Sequence, residues 1–345
     1  MKKIRVLIAD DSALSRALLR EYLEQDDGIE VIAEARNGEE AVALALDLAP
    51  QVITMDVHMP KMDGLAAIDA IMTRRAVPIL VVSGVADAKV AYDALLRGAL
   101  DVISKPTIDA GDAIELVTKV RLLAGVSVFT RRALRADTSE KISMSPSRFD
   151  SAATTVLPSW SRVYAIACST GGPQALATLL AALPASFPAP IVVAQHMAAG
   201  FSQGMVDWLD KLTPLRVCLA QSGDVLQAGV VYVSPSEQHL SITSAGRLLL
   251  TPPSTLDIYH PSCDCLLSSV ASQFAQRSVG IILTGMGKDG VQGMRDIYQK
   301  QGVTWAQDES SSVIFGMNRL AIEAGVIREV LPLTAMPERM MALLA

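Results

Sequence analysis

Five short apolar runs, at residues 4–10, 31–35, 52–56, 79–83 and 101–104, are each followed by a stretch with helical periodicity. This alternation constrains the fold more than any other feature, because parallel strands need long crossovers and a crossover helix covers one face of the sheet it joins. Residues 1–123 are therefore expected to form a doubly wound, parallel α/β domain. From 124 to 160 the periodicity fades into a segment rich in Ser, Thr, Ala and mixed charge, a linker composition. Strand-like runs resume at 163–168, 191–195, 217–220, 230–233 and 279–283, so residues 161–345 are expected to form a second doubly wound α/β domain. Two pieces between 230 and 252, HLSIT and RLLLT, have no helix between them and predict an antiparallel β-hairpin inserted in that second sheet. A length of 345 residues suits two cores better than one.

Composition narrows the partners. The net charge is −6 and no long basic run is present, which argues against nucleic acid. No apolar run approaches a membrane span, and the apolar start of the chain is cut by Asp10 and Asp11 before a signal sequence would be complete. The four cysteines, at 168, 218, 263 and 265, form neither paired C-x-x-C motifs nor a disulfide framework, and they suit a reducing cytoplasm.

In the first domain Asp10 and Asp11 end the first run, Asp56 the third and Ser83 the fourth, while Lys105 follows the fifth. In a doubly wound sheet these side chains converge outside the carboxyl ends of the strands. Three carboxylates there repel one another unless a hard cation joins them, and Mg²⁺ accepts a few carboxylates while keeping water or phosphate oxygens. Asp56 is then positioned to become an acyl phosphate, with Mg²⁺ and Lys105 neutralising charge and the Ser83 hydroxyl bonding the phosphoryl oxygens. Singly, each residue has a plainer use: Asp10 and Asp11 as helix caps, Lys105 as a solvated charge. Together with the MPKMDG turn after Asp56 they resemble the response-regulator receiver family, whose fold is flavodoxin-like. That resemblance implies that Asp56 receives a phosphoryl group from a sensor histidine kinase. It also implies that Asp10 and Asp11 hold the magnesium and that Ser83 and Lys105 read the phosphate. His58, two residues past Asp56, reads as an exposed loop residue.

The second domain opens with VYAIACSTGGP, a strand running into a turn that can present Ser169 at a helix N-terminus. The glycines allow tight backbone geometry, Pro173 costs no hydrogen bond in the first turn, and free N–H groups there favour anionic oxygen. Alone, such a turn more often reports close packing or phosphate binding than hydrolysis. The strand PIVVAQHM, however, delivers His196 at its end, and VGIILTGMGKDG delivers Asp289 in a glycine-flanked loop. A serine hydroxyl needs an imidazole to take its proton and a carboxylate to fix the imidazole tautomer, and Ser169, His196 and Asp289 can fill those roles if they meet within hydrogen-bonding reach. Cys168 is expected to face the core, because successive strand residues point oppositely. His239 and His260 are rivals for the base, and Cys263-Asp264-Cys265 is a rival as metal ligand.

Through STGGP, QHM followed by GF, HPSCD, LTGMGKDG and FGM, this half resembles the catalytic domain of chemotaxis protein-glutamate methylesterases. The resemblance implies Ser169 as nucleophile, His196 as base and Asp289 as its partner, with Thr170 and the Met286 backbone near the oxyanion and no cofactor. The implied substrates are methyl-accepting chemotaxis receptors, whose glutamyl methyl esters yield methanol and whose glutamines yield ammonia. It also implies that the unphosphorylated receiver covers the catalytic face. Cys168, Cys263, Cys265 and the Tyr259-His260 pair depart from the family pattern, which bears on substrate fit or redox sensitivity. Two other functions fit the same residues: a receiver-gated amidase or esterase on another protein, and a binding module with a vestigial triad.

Overall fold

A computed structural model of the chain describes residues 3–107, 110–128, 160–254 and 257–344. Most of the expected linker lies outside the described residues. The first half runs β1 (Ile4–Ala9), α1 (Ala13–Glu24), β2 (Ile29–Ala35), α2 (Gly38–Leu48), β3 (Val52–Met55), α3 (Gly64–Arg74), β4 (Ile79–Ser83), α4 (Ala88–Leu96), β5 (Asp101–Ser104) and α5 (Ala110–Leu123). Its five strands are all parallel, in the order β2-β1-β3-β4-β5. Every residue of β3 and β4 is buried, as expected of strands covered by helices on both faces. Local chemistry starts the helices: Ser12, Asn37 and Asp63 each accept a first-turn N–H.

The second half continues with β6 (Val163–Cys168), α6 (Gly172–Ala181), β7 (Ile191–Gln195), α7 (Ser202–Leu212), β8 (Arg216–Leu219), β9 (Val230–Val233), β10 (His239–Ile242) and β11 (Leu248–Thr251). It ends with α8 (Cys263–Phe274), β12 (Ser278–Ile282), α9 (Val291–Gln299), β13 (Val303–Gln307), α10 (Met317–Glu323), β14 (Glu329–Leu331) and α11 (Met336–Ala342). Seven of these strands form one parallel sheet in the order β14-β13-β12-β6-β7-β9-β8.

Two expectations need correction. The hairpin is real, but β10 and β11 pair only with each other, in a separate two-stranded antiparallel sheet. The edge beside β9 is already taken by β8, and the hairpin packs instead under α8, where Leu240, Ile242 and Leu248 join a core cluster with Leu266 and Val270. The sheet also gains β13 and β14, which periodicity missed: VTWAQ carries Thr304 and Gln307 in a fully buried setting, and EVL is a three-residue edge.

In each sheet the winding reverses beside the first strand of its half, at β1/β3 and at β6/β12. Such switch points open crevices at the carboxyl ends of the strands. Among the described residues no helix is long and apolar enough to cross a membrane.

Candidate active site and receiver pocket

Ser169 follows β6 and His196 follows β7, and their backbones are adjacent because Cys168 pairs with Gln195 in the parallel register. His196 N–H donates to Cys168 O at 3.0 Å, and Ser169 N–H donates to Thr284 O at 3.0 Å on the opposite side. Gln195, buried one residue before the histidine, donates from Nε2 to the carbonyls of Ser169 (2.9 Å) and His196 (2.8 Å), clamping the two strand ends together. A Cβ at Gly172 would overlap Gln195 Oε1, so the clamp needs glycine there. Gly171, at φ 79°, makes the left-handed turn into α6.

His196 Nε2 lies 2.8 Å from Asp289 Oδ2. With Nε2–H given to the carboxylate, Nδ1 is the ring nitrogen left to accept a proton. Ser169 is buried, yet among the described residues its hydroxyl makes no hydrogen bond, so of the two contacts expected within the triad the His–Asp one is made and the Ser–His one is not. Unliganded sites commonly hold that second contact open, and the Ser169 backbone is pinned on both sides. The N–H groups of Thr170 and Met286 likewise donate to no described residue, although the Thr170 carbonyl accepts from Thr284 Oγ1 at 2.9 Å.

Asp289 is held by α8. It accepts the N–H of Cys263 (2.6 Å) and Asp264 (2.8 Å) and the hydroxyl of Ser262 (3.2 Å), the residue that caps the helix. Asp264 in turn accepts the N–H of Gly290 (2.9 Å) and Gly293 (2.7 Å) at the start of α9. Each carboxylate thus closes the other helix's N-terminus, a favourable end for negative charge. Burial works against the charged form of Asp289, but His196 and the two N–H groups prevail and hold its carboxyl below the usual range. Asp264 is pushed up, by burial first and then by the Asp289 charge. The other face of the imidazole is covered by Tyr259, stacked with ring centroids 5.0 Å apart at 13°.

In the first half, Asp10, Asp56 and Ser83 are buried at the strand ends as expected, and Asp11 is exposed beside them. Lys105 Nζ reaches Asp56 Oδ2 at 2.7 Å and Asp10 Oδ2 at 2.8 Å. Asp10 also accepts Ser12 N–H (2.8 Å) and Ser15 Oγ (2.6 Å), but the residue that caps α1 is Ser12, so neither Asp10 nor Asp11 is the helix cap. Oxygen atoms of Asp10, Asp11 and Asp56 lie within 4.8 Å of one another. Burial, more than Lys105 offsets, raises the Asp56 carboxyl; Lys105, itself opposed by burial, is raised by its two carboxylates. Ser83 Oγ is buried without a hydrogen-bond partner. His58 is exposed and pairs with Asp87 at 3.0 Å.

Two family models match the chain: CheB methylesterase over residues 164–340, and response regulator receiver domain over residues 6–120. The "protein-glutamate methylesterase/protein-glutamine glutaminase 3" of Paramagnetospirillum magneticum is 48% identical over 96% of this chain and 93% of its own. Another of that name, number 2 of Anaeromyxobacter dehalogenans, is 43% identical over 97% of this chain and 96% of its own. The chain belongs to the CheB methylesterase family. A crystal structure of the Thermotoga maritima CheB methylesterase catalytic domain superposes with a TM-score of 0.51 at 35% identity, covering 53% of this chain and 98% of that one.

In this CheB family member the receiver lies against the α/β domain that carries Ser169. Helix α4 packs on α7, with Tyr92 and Trp208 ring centroids 5.7 Å apart. Gln174 Nε2 donates to Ala99 O at 2.5 Å, and Lys119 Nζ, paired with Asp101, donates to Thr170 Oγ1 at 3.1 Å. A receiver side chain therefore touches the residue next to Ser169.

The rivals resolve differently. Cys168 is fully buried and burial raises its thiol, as a core residue requires. His239 accepts Ser262 N–H on Nδ1 (2.9 Å) and pairs through Nε2 with Asp257 (3.0 Å), so both nitrogens serve the loop that enters α8. His260 lies over His239, with centroids 5.9 Å apart. Cys265 is only partly buried, while Cys263 Sγ sits 3.4 Å from His196 Nε2. Sequence reasoning missed Gln195 and Tyr259. Gln195 adjoins His196 in QHM and offered a signal; nothing local marked Tyr259 as a ring-stacking partner.

Proposed function

We propose that this chain hydrolyses glutamyl methyl esters on methyl-accepting chemotaxis receptors and deamidates receptor glutamines, under the control of phosphorylation at Asp56. In this reading residues 1–123 are the receiver, 124–160 the tether and 161–345 the hydrolase, all working in the cytoplasm. The names of the relatives support the substrate class. The observation that carries the chemistry is the His196–Asp289 hydrogen bond beside Ser169 at the switch point.

Ser169 Oγ attacks the ester carbonyl carbon as its proton passes to Nδ1 of His196, while Nε2–H stays on Asp289. The resulting oxyanion is received by the free N–H groups of Thr170 and Met286. Collapse breaks the C–O bond, His196 returns the proton to the leaving methoxide, and methanol departs from an acyl-serine. Water, deprotonated by the same imidazole, then releases glutamate and restores Ser169. With a glutamine side chain the leaving group is ammonia. Methanol and ammonia release from methylated and amidated receptor membranes test this; a parent protein that releases neither sinks it.

Asp56 takes the phosphoryl group when its carboxylate oxygen attacks phosphorus and the P–N bond to the kinase histidine breaks. The three clustered carboxylates and the unpartnered buried Ser83 hydroxyl suit Mg²⁺ and a phosphoryl oxygen respectively. Asp10, Asp11 and Asp56 would hold the ion, which when bound neutralises phosphoryl charge. Asp56→Asn is expected to keep the unstimulated rate and to lose activation by acetyl phosphate, measured as the ratio of methanol release with and without the donor.

The contact of α4 with α7 supports a resting state in which the receiver restrains the site. A Cβ at Gly204 of α7 would lie 2.8 Å from Ala88 Cβ and 3.0 Å from Lys89 N. Gly204→Leu therefore wedges the receiver away, and it is expected to raise the unstimulated rate roughly 5–10-fold, within the range of ordinary coupling energies. Full-length variant and parent at equal unstimulated rates would remove the restraint from the proposal.

A further inference from the structure

The buried thiol of Cys263 has no part in the proposed hydrolysis, yet it is aimed at its base. Cys263 Sγ lies 3.4 Å from His196 Nε2, which lies 2.8 Å from Asp289 Oδ2. The three ligand atoms are all within 4.8 Å of one another. A tetrahedral zinc ion with Zn–N and Zn–O near 2.0 Å and Zn–S near 2.3 Å sets its ligand atoms about 3.3–3.6 Å apart. The cluster is close to that size already, and small movements of the imidazole suffice. Its sulfur, nitrogen and oxygen donors suit a borderline-soft cation and not Mg²⁺, which requires oxygen.

We propose that Cys263, His196 and Asp289 form an inhibitory binding site for a divalent zinc-like cation. This rests on His196 and Asp289 serving the hydrolysis described above. The backbone preorganises the set: Cys263 is the first residue of α8, and its own N–H donates to Asp289 Oδ2 at 2.6 Å. The imidazole is the one partly exposed ligand, its side chain 13% accessible.

Binding balances as follows. The thiol proton leaves to solvent and a Zn–S bond forms. The imidazole proton moves from Nε2 to Nδ1 as Nε2 takes the metal. Thiolate and carboxylate together neutralise the ion, so no net charge is buried. Nδ1, now protonated, has no lone pair for the Ser169 proton, and the base is lost without displacement of any residue from the site. The fourth coordination position stays open to water or to a substrate oxygen.

The test titrates zinc against methyl-ester hydrolysis in the full-length protein, with excess Mg²⁺ occupying the receiver carboxylates. Rates are expressed relative to each variant's metal-free rate. Zinc should inhibit the parent and a chelator should restore it. Cys263→Val should need at least roughly tenfold more zinc, having lost one of three protein ligands, whereas Cys265→Val should titrate like the parent. Cobalt(II) is the second readout, independent of turnover. A thiolate-to-cobalt charge-transfer band is expected in the parent and in Ser169→Ala, and not in Cys263→Val; Cys263→Ala serves if the valine variant misfolds. Equal zinc sensitivity of the parent and the Cys263 variants, or a cobalt band that survives loss of Cys263, overturns the site. A cobalt band in a parent that hydrolyses no ester would instead overturn the hydrolase reading and leave the metal site standing.

Discussion

Ser169→Ala is expected to lower methyl-ester hydrolysis by about 10⁴–10⁶-fold, the range found when a serine nucleophile is removed, with the thermal midpoint close to the parent's. The size of the first effect follows from chemistry: in the proposed hydrolysis Ser169 is the nucleophile, and among the described residues the neighbouring thiols cannot replace it. Cys168 is fully buried with its thiol raised, and Cys263 lies on the Nε2 side of the ring, already taken by Asp289. The smallness of the second follows from structure. The Ser169 hydroxyl makes no hydrogen bond among the described residues, and the backbone contacts that fix the turn, to Thr284 and Gln195, survive in alanine. Methanol release and thermal denaturation measure the two. A variant keeping a tenth of the parent rate would move the nucleophile elsewhere.

Replacing Asp289 should damage both activity and stability, and the two replacements Asn and Ala should separate these effects. Either one removes the carboxylate that orients His196, and each is expected to cut the rate by about 10⁴-fold, as loss of the orienting aspartate does in serine hydrolases. Stability differs because Asp289 also receives one buried and one part-buried N–H group at the start of α8. Alanine leaves both unmet, at about 1–3 kcal/mol each, whereas asparagine retains one acceptor oxygen. Asp289→Ala should therefore melt well below Asp289→Asn at neutral pH. The gap between parent and Asp289→Ala should also depend on pH in one direction. The folded carboxyl sits below its usual range, so its contribution is complete above the unfolded value of about 3.9 and is lost as pH falls through the folded one. Equal melting of the two variants, or a gap that widens on acidification, would count against Asp289 as the anchor of α8.

How much of this was legible in the chain follows from the range of the forces involved. Alternating apolar runs and helical stretches specify parallel α/β sheets because crossover geometry is local and leaves few alternatives. The same logic places Asp10, Asp56, Ser83, Ser169 and His196 at strand ends before any coordinate is known. The hairpin misjudgement and the missed strand at Val303–Gln307 share a cause: pairing partners and the burial of polar residues such as Gln307 are settled by neighbours far along the chain.

The sequence by itself determined the residue types and the strand ends on which the two sites are built, since a strand's terminus and a turn's glycine are properties of a few consecutive residues. Only the tertiary structure decided the rest. The reciprocal capping of α8 and α9 by Asp289 and Asp264, the Tyr259 ring on His196, the Cys263 thiol at its Nε2 and the Lys119 reach to Thr170 all join residues 25 to 67 positions apart or across the two domains. Contacts at such separations depend on how whole helices and sheets pack, and no short stretch of chain encodes them.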